Sequence, residues 1–361
     1  MHAFARPNAR LQIARLAPFW IVCVLLGACA GSGVPTTQPK TAGEARAIVA
    51  EWGIESEYPF AHRFLNVPHG RMHYVDEGKG SPILAVHGQP TWSFLYRHVI
   101  RGLSDRHRVV APDLVGFGLS EKPTEVEDYT IEGHADDVEA LLLQLDLREV
   151  TLVVHDWGGP IGLGAAARHP DRIRAIVVLN TMGFYPPTAD AKIPFALRFI
   201  RAPGVGELLL RRFGMFERTI MPTAVAKRDR YEAVQSAYRG PFASARDRAG
   251  VLAFPRLIPD DADHPSARLI EDHVELFLEA FDGPVLILWG EQDPFFSREI
   301  LDGWKELFPE ARVIPLPDAA HYVQEDAHEE IVPAIRTLLD SADSSVEAGS
   351  ARSAGAAVDH D

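Results

Sequence analysis

Residues 153–159 read VVHDWGG, and the aspartate in that run decides how the rest of the chain is read. The stretch 150–154 is apolar and rich in β-branched residues, as strands are, and Gly158 opens a helical stretch, so Asp156 falls on the turn between strand and helix. A side chain on such a turn is lifted above the end of a sheet with backbone N–H groups aimed at it, which is a position for a nucleophile. A carboxylate there attacks carbon and becomes an ester. That chemistry suits displacement at an sp3 carbon bearing a leaving group better than hydrolysis of an ordinary peptide or ester. Taken alone, the same aspartate also reads as the N-cap of the helix starting at Gly158.

Two later segments supply partners. The apolar run 284–288 leads into WGEQDPFF, placing Asp293 just past a strand end, and the run 313–316 leads into PDAAHYVQED, placing His321 in a loop before a helix. Either residue alone is a turn former or a structural polar group. In sequence they give nucleophile, acid and histidine, each following a strand. Strand-like runs at 83–86, 109–111, 150–154, 175–179, 285–289 and 313–316 alternate with helical stretches. The fold class is therefore α/β, with a mostly parallel central sheet flanked by helices. Residues 71–76 and those before them add antiparallel strands at one edge. The stretch 182–280 is too long for a loop and reads as an inserted helical cap, with helices expected around 195–200, 206–212 and 223–235. The core then divides into residues 51–181 and 281–341.

HGQPTWSFLYR (87–97), VVAPDLVGFGLSEKP (109–123), VVHDWGGPIGL, WGEQDPFF and AAHYVQED together resemble the haloalkane dehalogenase family of α/β-hydrolases over about residues 60–340. The HDWGG run by itself is also similar to soluble epoxide hydrolases. The resemblance implies that Asp156 displaces halide to form an alkyl-enzyme ester, that His321 activates the water that hydrolyses it, and that Asp293 orients the histidine. It also implies an oxyanion hole built from the backbone amides of Trp157 and Gln89.

A halide forming in a dry cavity needs hydrogen-bond donors, and the resemblance assigns this task to the Trp157 indole N–H with Gln89 beside it. Family members pair that tryptophan with an asparagine in the loop or with a second tryptophan on the cap. Here Gln89 holds the loop position and residues 182–280 contain no tryptophan. Some members of the family carry the acid after the strand that here ends in Asn180-Thr181, which has no carboxylate, so the resemblance is to members whose acid follows the next strand, the place of Asp293. Two alternatives use the same nucleophile. One is epoxide opening, for which Tyr185, Tyr231 and Tyr238 are candidate cap donors. The other is the processing of β-lactones, known from a related group. A non-catalytic ligand-binding role on the same fold is the third.

The amino terminus addresses location. Arg6, Arg10 and Arg15 precede the apolar run 16–28, too short for an ordinary spanning helix, so residues 1–28 read as a secretory signal. Its end, Leu26-Gly27-Ala28-Cys29, resembles the bacterial lipobox, whose cysteine is lipidated. The expectation is an exported protein anchored by lipid at Cys29, with residue 30 not an aspartate and hence destined for the outer membrane on its periplasmic side. Residues 29–50 read as a flexible tether and 342–361 as a disordered tail. With Cys23 leaving in the signal and Cys29 modified, no mature thiol remains for a disulfide or a metal. A net charge of −14 argues against nucleic acid. No P-loop, dinucleotide fingerprint or metal-ligand cluster stands out, and no cofactor is expected: the partners are a small organic substrate and water.

Overall fold

The computed structural model describes residues 38–184, 195–259 and 263–341. Signal, lipobox and Cys29 lie outside the described residues, as do Tyr185 and the tail 342–361. Residues 42–50, expected as part of a flexible tether, are instead helical, because Ala45 and Val49 pack into the core. Among the described residues no helix is long and apolar enough to cross a membrane.

Eight strands form one sheet: β1 (Arg63–Val67), β2 (Gly70–Glu77), β3 (Pro82–Val86), β4 (Arg108–Pro112), β5 (Val150–Asp156), β6 (Ile173–Thr181), β7 (Val285–Gly290) and β8 (Arg312–Leu316). Their order is β1-β2-β4-β3-β5-β6-β7-β8. The β1–β2 and β2–β4 pairs are antiparallel, and every pair from β4 through β3 to β8 is parallel. All the strands expected from the apolar runs are present.

Both faces are covered, which is why β5 and β7 are buried along their whole length and read as continuous apolar runs rather than alternating ones. Successive side chains still go to opposite faces. Ile83, Ala85, Val153 and Val177 pack with the helices Ala42–Glu51 and Arg97–Leu103 and with Ile331 and Ile335. Leu84, Val86, Leu152 and Val154 pack with the helices Ile131–Gln144, Gly158–Arg168 and Arg298–Leu307. The rigid centre of this sandwich carries the end of β5.

Between β6 and β7 the described chain is helical, including Phe195–Arg201, the π-helical Glu207–Arg212, Arg228–Arg239 and Ala249–Leu257. The helix expected over 223–235 starts only at Arg228. The reason is tertiary. The Ala226 and Lys227 amides donate to the Asp326 carboxylate at 3.0 and 2.8 Å, and the Ala224 carbonyl accepts from the His321 and Tyr322 amides. Backbone groups held by the catalytic loop are not available to a helix.

Candidate active site

Asp156 ends β5 with φ of +53°, a conformation an L-residue adopts at a cost and that surrounding structure has to enforce. Neighbouring glycines make room for it. A Cβ on Gly158 would lie 2.1 Å from the Val86 carbonyl oxygen, and one on Gly88 would lie 2.1 Å from Asp156 Oδ1. The Asp156 carbonyl accepts from the Thr181 hydroxyl at the end of β6. The elbow is thus fixed from both neighbouring strands, β3 and β6.

The carboxylate is bracketed. Its Oδ1 accepts the Gln89 backbone N–H at 2.7 Å, and its Oδ2 lies 3.4 Å from His321 Nε2. The loop carrying Gln89 is set by His87, whose Nδ1–H donates to the Gly88 carbonyl at 2.8 Å while Nε2 accepts the Leu114 N–H at 2.9 Å. Burial pulls the His87 pKa down, in keeping with the neutral ring that this pair of bonds requires.

His321 is held on its other side by Asp293, with Nδ1 donating to Oδ2 at 2.9 Å. The second Asp293 oxygen accepts the amides of Phe295 and Phe296 at 2.7 and 3.1 Å. Burial favours the neutral acid, but the His321 charge and these donors outweigh it and hold Asp293 below the usual carboxylate range. For His321, burial works against the imidazolium, yet the flanking Asp293 and Asp156 carboxylates prevail and raise its pKa. The imidazole also stacks on Phe296 and meets Phe295 edge-on.

A family model described as alpha/beta hydrolase fold matches residues 81–328. The chain belongs to the α/β-hydrolase family. It is 38% identical over 289 residues to a cis-3-alkyl-4-alkyloxetan-2-one decarboxylase of Shewanella oneidensis, covering 79% of this chain and 90% of that one. It is 39% identical over 279 residues to haloalkane dehalogenase 2 of Mycobacterium tuberculosis, covering 77% and 94%. Among solved structures it resembles the haloalkane dehalogenase DbeA from Bradyrhizobium elkani, with a TM-score of 0.71 at 26% identity over 79% of this chain and 99% of that one.

In this α/β-hydrolase the structure brings Asp156, Asp293 and His321 together. Trp157 stands edge-on to Phe254 of the cap at 5.6 Å. The buried tryptophans Trp92 and Trp304 donate their indole N–H to the carbonyls of Ala237 and Thr181; that of the partly buried Trp157 has no protein acceptor among the described residues. Gln89 behaves differently from its expected role. Its side-chain Nε2 donates to the Val251 carbonyl of the cap at 2.8 Å, so this amide ties core to cap. Tyr231 and Tyr238 stack on each other, and their hydroxyls donate to the Glu217 carbonyl and the Glu325 carboxylate. Neither hydroxyl is presented to an opening epoxide.

Four residues that support the site were not singled out from sequence. Asn180, noted above only for lacking a carboxylate, donates to Asp293 Oδ2 at 2.7 Å and accepts the Gly290 amide at 2.7 Å. His155 donates from Nε2 to the His321 carbonyl at 2.9 Å; burial first, and the His321 charge second, depress its pKa to about 3, so it stays neutral. Asp326 accepts the Ala320 amide at 2.9 Å as well as the two cap amides. Glu325 pairs with the buried Arg97 at 2.5 and 2.7 Å. The signal for the last two was their adjacency, QED directly after the histidine loop.

Proposed function

We propose that this hydrolase releases halide from haloalkanes through a covalent ester on Asp156. The observation that carries the reading is the bracketing of the Asp156 carboxylate by the Gln89 amide and the His321 imidazole, with Asp293 behind the imidazole. In the first step a carboxylate oxygen forms a bond to the substrate carbon and the carbon–halogen bond breaks, its electron pair leaving with the halide. Trp157 Nε1–H, which has no protein acceptor among the described residues, is the donor proposed for that anion. In the second step His321 takes a proton from water, and the hydroxide adds to Cγ of Asp156. The resulting oxyanion lies at the Gln89 amide, with the Trp157 amide as its second donor. Collapse expels the alkoxide, which is protonated to the alcohol. Esterification removes one of the two negative charges that raise the His321 pKa, so the imidazole becomes a competent base in the ester state.

A second reading shares the nucleophile, and two observations favour it: the oxetanone decarboxylase relatives and the engagement of the Gln89 amide with Val251. Attack of Asp156 on the sp3 ring carbon of a β-lactone breaks the carbon–oxygen bond and frees a carboxylate. Loss of carbon dioxide then forms the alkene and expels Asp156, without water. A panel of bromoalkanes and cis-disubstituted β-lactones, with Asp156→Ala as control, separates the two: halide release that depends on Asp156 supports the first reading, alkene formation the second. The intact triad argues against a purely ligand-binding role.

Export and lipidation at Cys29 are proposed on the sequence of residues 1–29 alone. Metabolic labelling with a radioactive fatty acid, retained in the wild type and lost in Cys29→Ser, tests them.

A further inference from the structure

We infer that the exposed face of the cap segment 198–218 is a docking surface for an anionic lipid bilayer. Two independent features point there. The first is charge. Residues 195–258 carry twelve Lys and Arg against five Asp and Glu, a net of +7 in a chain whose total is −14. This segment is therefore basic within an acidic chain. Several of those arginines are committed internally: Arg211 to the carbonyls of Ala245 and Thr124, Arg248 to Glu217, Arg256 to Glu207. Arg198, Arg212 and Arg218 are exposed and, among the described residues, none is in an ion pair.

The second feature is apolar. The Phe213 amide donates to the Leu208 carbonyl across one π-helical turn, so these two side chains and Arg212 share a face. Leu208 and Phe213 are each 51% exposed. Exposed leucine and phenylalanine interleaved with unpaired arginines is the composition of an interfacial segment, in which apolar side chains enter the headgroup boundary and guanidiniums meet lipid phosphates. The helix Glu207–Arg212 packs on the helix Ala249–Leu257, whose Phe254 touches Trp157. The docking face is therefore one helix layer above the nucleophile, and lipophilic substrates dissolved in the bilayer would be concentrated near the site.

The test is flotation of the full chain with vesicles of phosphatidylglycerol and phosphatidylcholine, and with vesicles of phosphatidylcholine alone. All proteins share the same amino terminus, so its contribution cancels. Binding to the anionic vesicles is expected to exceed binding to the neutral ones by at least tenfold. Arg198→Glu/Arg212→Glu/Arg218→Glu is expected to abolish that excess, since each arginine near an anionic surface contributes about fivefold. Leu208→Ser/Phe213→Ser should weaken binding to both vesicle types. These side chains are exposed, so an unchanged melting temperature is the check on folding. Equal binding to the two vesicle types, or an excess that survives the triple substitution, overturns the inference. So does binding that needs a protein on the vesicle, which would make the face a protein interface instead.

Discussion

His321 Nε2 lies 3.4 Å from Asp156 Oδ2, while the opposite nitrogen of the same ring is bonded to Asp293 at 2.9 Å. In the proposed mechanism this separates the two chemical steps: the carboxylate alone makes the first bond, and the histidine is needed only once an ester exists.

Replacing the base should therefore stop the reaction halfway. His321→Phe is expected to release one equivalent of halide per enzyme and then stall, with turnover down about a thousandfold or more. Mass spectrometry of the peptide containing Asp156 should show the added alkyl group. Unimpaired turnover would place the base elsewhere.

The ion network also predicts a pH dependence of stability. A histidine whose folded pKa is raised contributes stability in full below its unfolded value of about 6.5 and loses it as pH rises through the folded value. Asp293, whose folded pKa is lowered, contributes above about pH 4 and loses that contribution as pH falls through its folded value. The melting temperature of the wild type relative to His321→Gln should thus be highest between about pH 4 and 6.5 and decline as pH is raised further. Calorimetry across that range reads it directly. A difference that grows with pH would mean the ring is neutral in the resting enzyme.

Asn180 bridges the ends of β6 and β7 through Gly290 and the catalytic acid. In Asn180→Ala a buried amide and a carboxylate oxygen lose partners, which costs about 1–3 kcal/mol. Ester formation should proceed as in the wild type, whereas its hydrolysis should slow by about tenfold as His321 loses its fixed partner. Pre-steady-state halide and alcohol bursts distinguish the two steps.

Asp326 accepts three backbone amides, that of Ala320 next to His321 and those of Ala226 and Lys227 on the cap. Asp326→Asn keeps one acceptor oxygen and gains donors that face N–H groups, so melting should fall and ester hydrolysis should slow more than ester formation. Equal slowing of both steps would indicate general loosening instead of displacement of His321.

Gln89 is one methylene too long to be confined to the site, and its amide reaches Val251 on the cap. Gln89→Asn withdraws the amide from the cap and returns it toward Trp157. Halide affinity, read as quenching of Trp157 fluorescence, should rise about tenfold, the effect of one charge-assisted hydrogen bond. Weaker halide binding in Gln89→Asn would show that glutamine already serves the anion.

Much of this was legible in the sequence because the central parallel strands are buried on both faces, so 83–86, 150–154 and 285–289 read as plain apolar runs, and because Asp156 and Asp293 each follow one of them, while His321 follows the edge strand 313–316. The supporting residues were less visible for a physical reason. Asn180, His155 and Asp326 act by hydrogen bonds to the backbone of segments distant in the chain, and such bonds leave no periodicity. The same bonds explain the missed start of the helix Arg228–Arg239: propensity favours helix across 223–227, but Asp326 and the His321 loop take its amides and carbonyl.

The most direct test of the central claim, that Asp156 is the covalent nucleophile, is a single turnover of a 1-bromoalkane in water enriched in oxygen-18 with enzyme in excess. Because water attacks Cγ of the ester, the label should enter the Asp156 carboxylate and the alcohol should carry oxygen-16. Label appearing directly in the alcohol, with none on Asp156, would contradict covalent catalysis and make the aspartate a base for attacking water.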